Sequence, residues 1–170
     1  MDPEEFARAL EDARQRGDKT AMADLARAST EELPPEGPGE AKRFRFRHAP
    51  GMIGIAFEPA EQRCATYPSD LPFLPGVRCG LTTVSAEQRS LQWFGGDLER
   101  HLASLLEQCH AEGWEEAPGL RFPTAMGARV HILDRSDMTR HIMAITVKDT
   151  SMISLTESPR RRRPPDASGA

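Results

Sequence analysis

Gly96-Asp97-Leu98-Glu99-Arg100-His101-Leu102, running on to Ala111-Glu112-Gly113-Trp114, is the stretch whose reading decides the fold. Gly95-Gly96 breaks whatever precedes it, and Asp97 offers a side-chain oxygen to the free N–H groups of a starting helix. Leu98, Leu102, Leu105, Leu106 and Cys109 recur at helical spacing and form one apolar stripe, with Glu99, Arg100, Glu107 and Gln108 on the outer side. Gly113 falls where a C-terminal cap needs left-handed backbone, and Trp114 is placed to fold back onto the last turn. The spacing predicts one capped amphipathic helix in which Gly113-Trp114 is a structural device.

On either side of this helix the period changes from 3.6 to two. Lys42-Arg43-Phe44-Arg45-Phe46-Arg47-His48 alternates, Ala49-Pro50-Gly51 signals a turn, and Met52 to Phe57 supplies a second strand. The alternation predicts Arg43, Arg45 and Arg47 on a solvated face and Phe44 and Phe46 pointing into a core. Pro68 to Gly76 is a rigid, partly apolar loop leading to strands over Val77 to Val84 and Arg89 to Phe94. After a polar crossover, Ala128 to Leu133, His141 to Val147 and Met152 to Thr156 are joined by turn-rich Asp134 to Asp137 and Lys148 to Ser151. That is a three-stranded meander. The fold class expected is α+β: an antiparallel sheet with one main amphipathic helix packed on it, plus an N-terminal helical hairpin.

The hairpin reads from the first thirty residues. Asp2 caps a helix with Pro3 at its first position, where the missing N–H is no loss, and Glu4 and Glu5 suit the positive helix end. Phe6, Leu10 and Ala13 share one stripe, Gly17 is a stop, and Asp18 opens a second helix bearing Met22 and Leu25. This apolar stripe is thin, so it needs a partner surface, either the body of the chain or another chain. No copy of the unit recurs, which excludes a solenoid array. The expected organisation is a helical hairpin arm over 1–30, a Pro/Gly-rich linker over 31–41, an α+β domain over 42–158 and a basic tail over 159–170.

Composition narrows the function classes. The 170 residues carry a net charge of -4, with 11 acidic and 5 basic side chains in the first forty and near neutrality from 41 to 159. An acidic arm and the arginines Arg160 to Arg163 thus flank a neutral body. No run is apolar enough for a membrane helix, and the acidic start, Met1-Asp2-Pro3-Glu4-Glu5, lacks the basic and apolar regions of a signal peptide, so the cytoplasm is the expected compartment and no membrane is expected as a partner. Three cysteines, Cys64, Cys79 and Cys109, read as reduced thiols; a Cys64–Cys79 disulfide would require export.

The order of a strand, a capped helix, an L-x-x-x-G-W ending and hairpin strands closing on a Thr/Ser-rich edge resembles a diffuse group of small bacterial α+β domains of unknown function. Those domains often carry V-x-x-F-Y-x-x-x-L-x-x-x-G-W. Here the F-Y pair is missing from Leu102 to Leu106, and Leu106 lies farther from Gly113-Trp114. The resemblance spans roughly residues 70 to 157 and implies a fold; it carries no catalytic residues.

Chemistry is sparse. Ser85, Ser90 and Ser104 lack a glycine-rich elbow, and no Gly-Lys-Ser/Thr follows Gly95-Gly96-Asp97. His101, Cys109, His110, His131 and His141 are the only set that could gather a metal, with His131 and His141 able to pair across neighbouring strands. Cys109 as a nucleophile would need exposure and an activating base, whereas its place on the apolar stripe argues for burial. The expectation is a non-enzymatic adaptor, assembly or regulatory protein without a cofactor. Its partner-binding residues would be Phe6, Leu10, Met22, Leu25, Arg43, Arg45 and Arg47, and its partner another protein chain or a second copy of itself. Arg160 to Arg163 could contact phosphates or an acidic protein surface, but a solubilising terminus is the plainer account and nucleic acid is not the expected partner. The alternative is a small enzyme or ligand-binding domain with a site near loop 68–76.

Overall fold

Twelve elements follow one another in the computed structural model, which describes residues 2–34, 41–47, 49, 51–85, 87–117, 127–147 and 149–160. Helices α1 (Pro3–Arg16) and α2 (Lys19–Ser29) come first, followed by strands β1 (Thr30–Leu33), β2 (Lys42–Phe46), β3 (Ile53–Phe57), β4 (Arg78–Ser85) and β5 (Gln88–Phe94). Helix α3 (Leu98–Ala111) separates these from β6 (Glu115–Glu116), β7 (Arg129–Arg135), β8 (Met138–Val147) and β9 (Thr150–Pro159). All nine strands join one antiparallel sheet in the order β1-β2-β3-β4-β5-β9-β8-β7-β6. Two meanders are therefore sewn together by β9, which pairs with β5 on one side and β8 on the other. The class is α+β, with helices at the N-terminus and one helix packed on the sheet.

Helix α3 forms as its sequence dictates. Asp97 accepts from the Arg100 N–H at 3.1 Å, and Leu102, Leu105 and Cys109 are buried on one stripe. At the other end Gly113 has φ +84°, the Trp114 N–H bonds the Cys109 carbonyl and the Gly113 N–H the His110 carbonyl. This crossed pair of bonds satisfies two of the last free carbonyls of the helix. It also turns the Trp114 ring into the core, where it is 1% exposed. Gly96, with φ +74°, admits no side chain for a second reason, since a Cβ there would run into the His101 ring. Gln108 departs from its expected place on the outer side: its amide donates to the Phe73 carbonyl at 2.9 Å and accepts from the Phe73 N–H at 3.0 Å. The helix thereby holds loop 58–77 as a neighbouring strand would.

One face of the sheet carries the core. Directly opposed residues share a face, so Cys79, Trp93, Ile153 and Ala144 form one rung, and Leu81, Leu91, Leu155 and Ile142 the next. Helix α3 covers the β8–β9 side of that face, and Tyr67, Leu71, Leu74 and Val77 join the same cluster from the loop before β4. The loop at 68–76 therefore spends its apolar side chains on the core; Leu71, Pro72 and Leu74 are among the fully buried residues.

The sheet is longer than the alternation indicates. Glu31 to Leu33, expected in the linker, form β1 against β2, with the rest of the linker at 35–40 outside the described residues. Strand β9 runs to Pro159, and the Arg160 N–H bonds the Asp137 carbonyl, so the body reaches two residues past the expected boundary at 158. Trp114→Ala should lower the unfolding free energy by about 3–5 kcal/mol in urea denaturation, as large aromatic truncations in cores do. A loss near zero would mean that the ring contributes no packing.

Candidate functional site

The arm is built by its caps. Asp2 accepts from the Glu5 N–H at 2.8 Å while the Glu5 carboxylate accepts from the Asp2 N–H at 3.2 Å, a reciprocal pair that fixes the start of α1. Gly17 at φ +66° ends α1, and Asp18 caps α2 through the Ala21 N–H at 2.9 Å. The two helices pack on each other around Ala13, which is fully buried. Phe6, Met22 and Leu25 are half-buried and Leu10 is 39% exposed. Between the helices lies an open cleft lined by Ala9, Ala21, Leu25 and Ala28 together with Asp12, Arg16 and Asp24.

The arm is joined to the sheet without slack. α2 ends at Ser29 and β1 begins at Thr30, while the Arg47 N–H bonds the Ser29 carbonyl at 2.8 Å. The expected linker between arm and body therefore begins as strand, at Glu31 to Leu33, with the described Pro34 and Ala41 outside it. This brings two sets of predicted partner residues to one edge: the arm stands at the root of β1, and β1 pairs with β2, setting Glu31 opposite Arg45 and Leu33 opposite Arg43.

The facing of β2 is the reverse of that predicted. Arg43 and Arg45 are opposite Ile55 and Ile53, on the core-bearing face, while Phe44 is opposite Gly54 on the other. Phe46, one rung along, lies over Gly54, where a Cβ would approach its ring at 3.1 Å. Phe44 and Phe46 are half-buried and outside the core cluster. The reason is position: β2 lies beyond α3 and the loop, so neither of its faces is sealed. Arg47, exposed, follows β2.

The histidines do not assemble. His131 is opposite Ile142 and His141 opposite Ile132, so the two rings stand on opposite faces and cannot pair across the strands. His131 Nδ1 instead meets Glu116 Oε1 at 3.0 Å. Among the described residues no three His, Cys, Asp or Glu side chains converge on a metal-sized site. All three cysteines are free. Burial raises the Cys109 thiol against the opposing pull of Arg140, and burial pushes Cys79 up to about 12, so neither is poised as a nucleophile.

A chain of charge with a buried centre at Arg140 and Glu157, absent from the sequence reading, crosses the core face. Arg89, Glu157 and Arg140 stand directly opposite one another on β5, β9 and β8. Arg140, with no exposed surface, donates from Nε to Glu157 at 2.8 Å, from Nη1 to Glu112 at 3.1 Å and Cys109 Sγ at 3.5 Å, and from Nη2 to the Asp70 carbonyl at 3.1 Å. Its guanidinium carbon lies 3.9 Å from the centre of the Trp114 ring, and that of Arg135 lies 4.5 Å away. Arg89 Nη2 bridges Glu157 at 2.8 Å and Asp70 at 2.6 Å. Acid and base thus alternate from Asp70 through Arg89, Glu157 and Arg140 to Glu112, tying the loop, three strands and the end of α3. One signal could have found it: Arg89, Arg140 and Glu157 each alternate in phase with buried residues of their own strand.

The opposite face of the sheet is different in kind. One rung there reads Arg78, Phe94, Met152, Ile145; the next Ala56, Gly80, Gln92, Ser154, Met143; the third Gly54, Thr82, Ser90, Thr156, His141. No described helix packs on it. The basic tail is described only at Arg160, whose guanidinium pairs with Asp134 at 3.2 Å; Arg161 to Arg163 lie outside the described residues. The chain matches no protein-family model, no curated protein and no solved structure.

Two measurements test the charge chain. Arg140→Met should cost about 3–5 kcal/mol because it takes from Glu157 and Glu112 their shared buried cation and leaves Glu157 with Arg89 alone, and Arg140→Met combined with Glu157→Leu should cost less than the sum of the two single changes. Independent, additive effects in urea would refute the coupling. The hydrogen bond from Arg89 holds the Asp70 carboxyl below its ordinary value. Its contribution to stability is thus complete above the ordinary carboxylate range and lost as pH falls below about 4. Asp70→Asn should flatten that part of the acid limb and leave the neutral-to-alkaline limb unchanged.

Proposed function

We propose that this chain is a non-enzymatic cytoplasmic protein that works by holding another protein chain, as an adaptor, assembly or regulatory subunit. The helical arm is the binding element, with the arginine-bearing strand β2 beside it. The observation that supports this reading is the state of the arm's apolar stripe: Leu10 remains 39% exposed and Phe6, Met22 and Leu25 half-exposed in a hairpin rooted on the edge strand. Two short helices with so little buried surface are marginal in water and gain stability from a further layer.

The distribution of charge favours a protein partner over nucleic acid. A nucleic-acid strand wants cations for phosphates and aromatic rings for bases on one surface. On β2 the phenylalanines and arginines stand on opposite faces. A non-catalytic role is supported by the way the buried ionisable groups are spent: Arg89, Glu157 and Arg140 neutralise one another within the core, and the buried thiols are held protonated.

Full-length protein carrying Leu10→Asp should lose the partner captured by the wild type by at least tenfold in affinity, as removal of a central interface anchor does. Its thermal midpoint should be unchanged, because the side chain is exposed. Capture that survives Leu10→Asp and Leu25→Asp alike would overturn the arm reading.

A further inference from the structure

We propose that the face of the sheet opposite α3 is a self-association surface on which two copies of this chain stack face to face. The inference rests on the reading that the chain works through protein contacts, and it names a second copy as the occupant of the sheet. From β3 to β8 the three rungs of this face hold fourteen residues, and the one Asp, Glu, Lys or Arg among them is Arg78, at the border opposite Phe94. In a chain that is 28% charged, a face that met only water would carry its share. Phe94 and Met143, 40% and 38% exposed, are two of the most exposed large apolar side chains, and Ile145 and Met152 lie beside them. Apart from Gln92 and His141, the remaining positions are small or hydroxyl-bearing, with Ser90 and Thr156 hydroxyls 3.4 Å apart.

Charge decides the choice of occupant. A face meant for an acidic or basic partner would present the opposite sign across it, and inside the border set by Lys42 and Arg78 this one presents neither. Two-fold stacking makes the opposite demand: each side chain near the axis meets its own copy, so a charge there meets a like charge. The centre of this face, around Gln92 and Ser154, carries no such charge. Size agrees. Thirteen neutral positions, each about 4.8 by 6.8 Å, make a patch of roughly 420 Å2. Two such patches bury about 850 Å2, a size at which association is weak and reversible. Sheets stack about 10 Å apart with strands some 30° off parallel, a geometry open to this face because no described helix lies on it. Lys42 and Arg78 border the patch in the same rungs and limit it on the β2–β4 side.

Sedimentation equilibrium of the full chain over a range of concentrations tests the proposal. The expected mass rises from 18.8 kDa toward twice that value. Gln92, exposed and central in the patch, should in the Gln92→Lys variant raise the half-association concentration at least tenfold without touching the core, and Met143→Lys should do the same. Leu10→Asp should leave it unchanged. A single 18.8 kDa species up to about 1 mM overturns the proposal, as does a dimer lost in Leu10→Asp but kept in Gln92→Lys. The second outcome would assign self-association to the arm, whereas a monomer that still captures a partner through Leu10 would refute the stacked dimer and leave the arm reading standing.

Discussion

The guanidinium of Arg140 is the group on which the rest of the body depends. A cation with no exposed surface is tolerated only where its lost hydration is replaced, and here four hydrogen bonds and an aromatic face replace it. Each comes from a different part of the chain: Glu157 from the neighbouring strand, Glu112 and Cys109 from the end of α3, Asp70 from the loop, Trp114 from the helix cap. None of these elements can shift without leaving a charge unmet. Hydrophobic burial draws α3 and the loop onto the sheet without direction; the Arg140 contacts specify where they stop. The capping of α3 belongs to the same constraint, because the left-handed turn at Gly113 is what swings the indole over the cation.

The two faces of the sheet consequently have different histories of use. On one, apolar rungs and one charged rung are sealed by α3 and the loop 58–77. On the other, the same strands offer Phe94, Met143 and short polar side chains. The strands that read as alternating apolar and polar do so because only one side is filled. The apolar residues left on the far side break that alternation at Phe94 and at Ile145, next to Trp93 and Ala144 on the inner phase.

Much of this architecture is legible in the residues. The α3 caps, its stripe and the three-strand meander follow from spacing and turn chemistry alone, because each is a local pattern with a local cause. The strands β1 and β6 are not legible: one carries two glutamates in four residues and the other is two glutamates, and short charged edges look like loops until a neighbour pairs with them. The facing of β2 is lost for a related reason. Alternation separates two faces but does not say which one meets the core, and register with β3 decides that the arginines do. The buried charge chain was hidden by habit rather than by physics, since Arg140 shares its phase with Ile142 and Ala144, and Glu157 with Leu155 and Ile153. Of the candidate site, the arm's stripe is readable and its rigid attachment is not, because the Pro/Gly-rich segment after it masks the strand at its start.

The direct passage of α2 into β1 makes the arm a lever. A helix of eleven residues rises about 16 Å, and its far end carries α1, while its near end is one residue from four backbone pairs along the rim of the sheet. A load that lifts the arm away from the body meets those pairs one after another, as in opening a zip, rather than all at once as in sliding one strand along its neighbour. The seam that such a load opens first therefore lies between β1 and β2, with β3 and β4 standing between it and the charged rung on β5, β9 and β8.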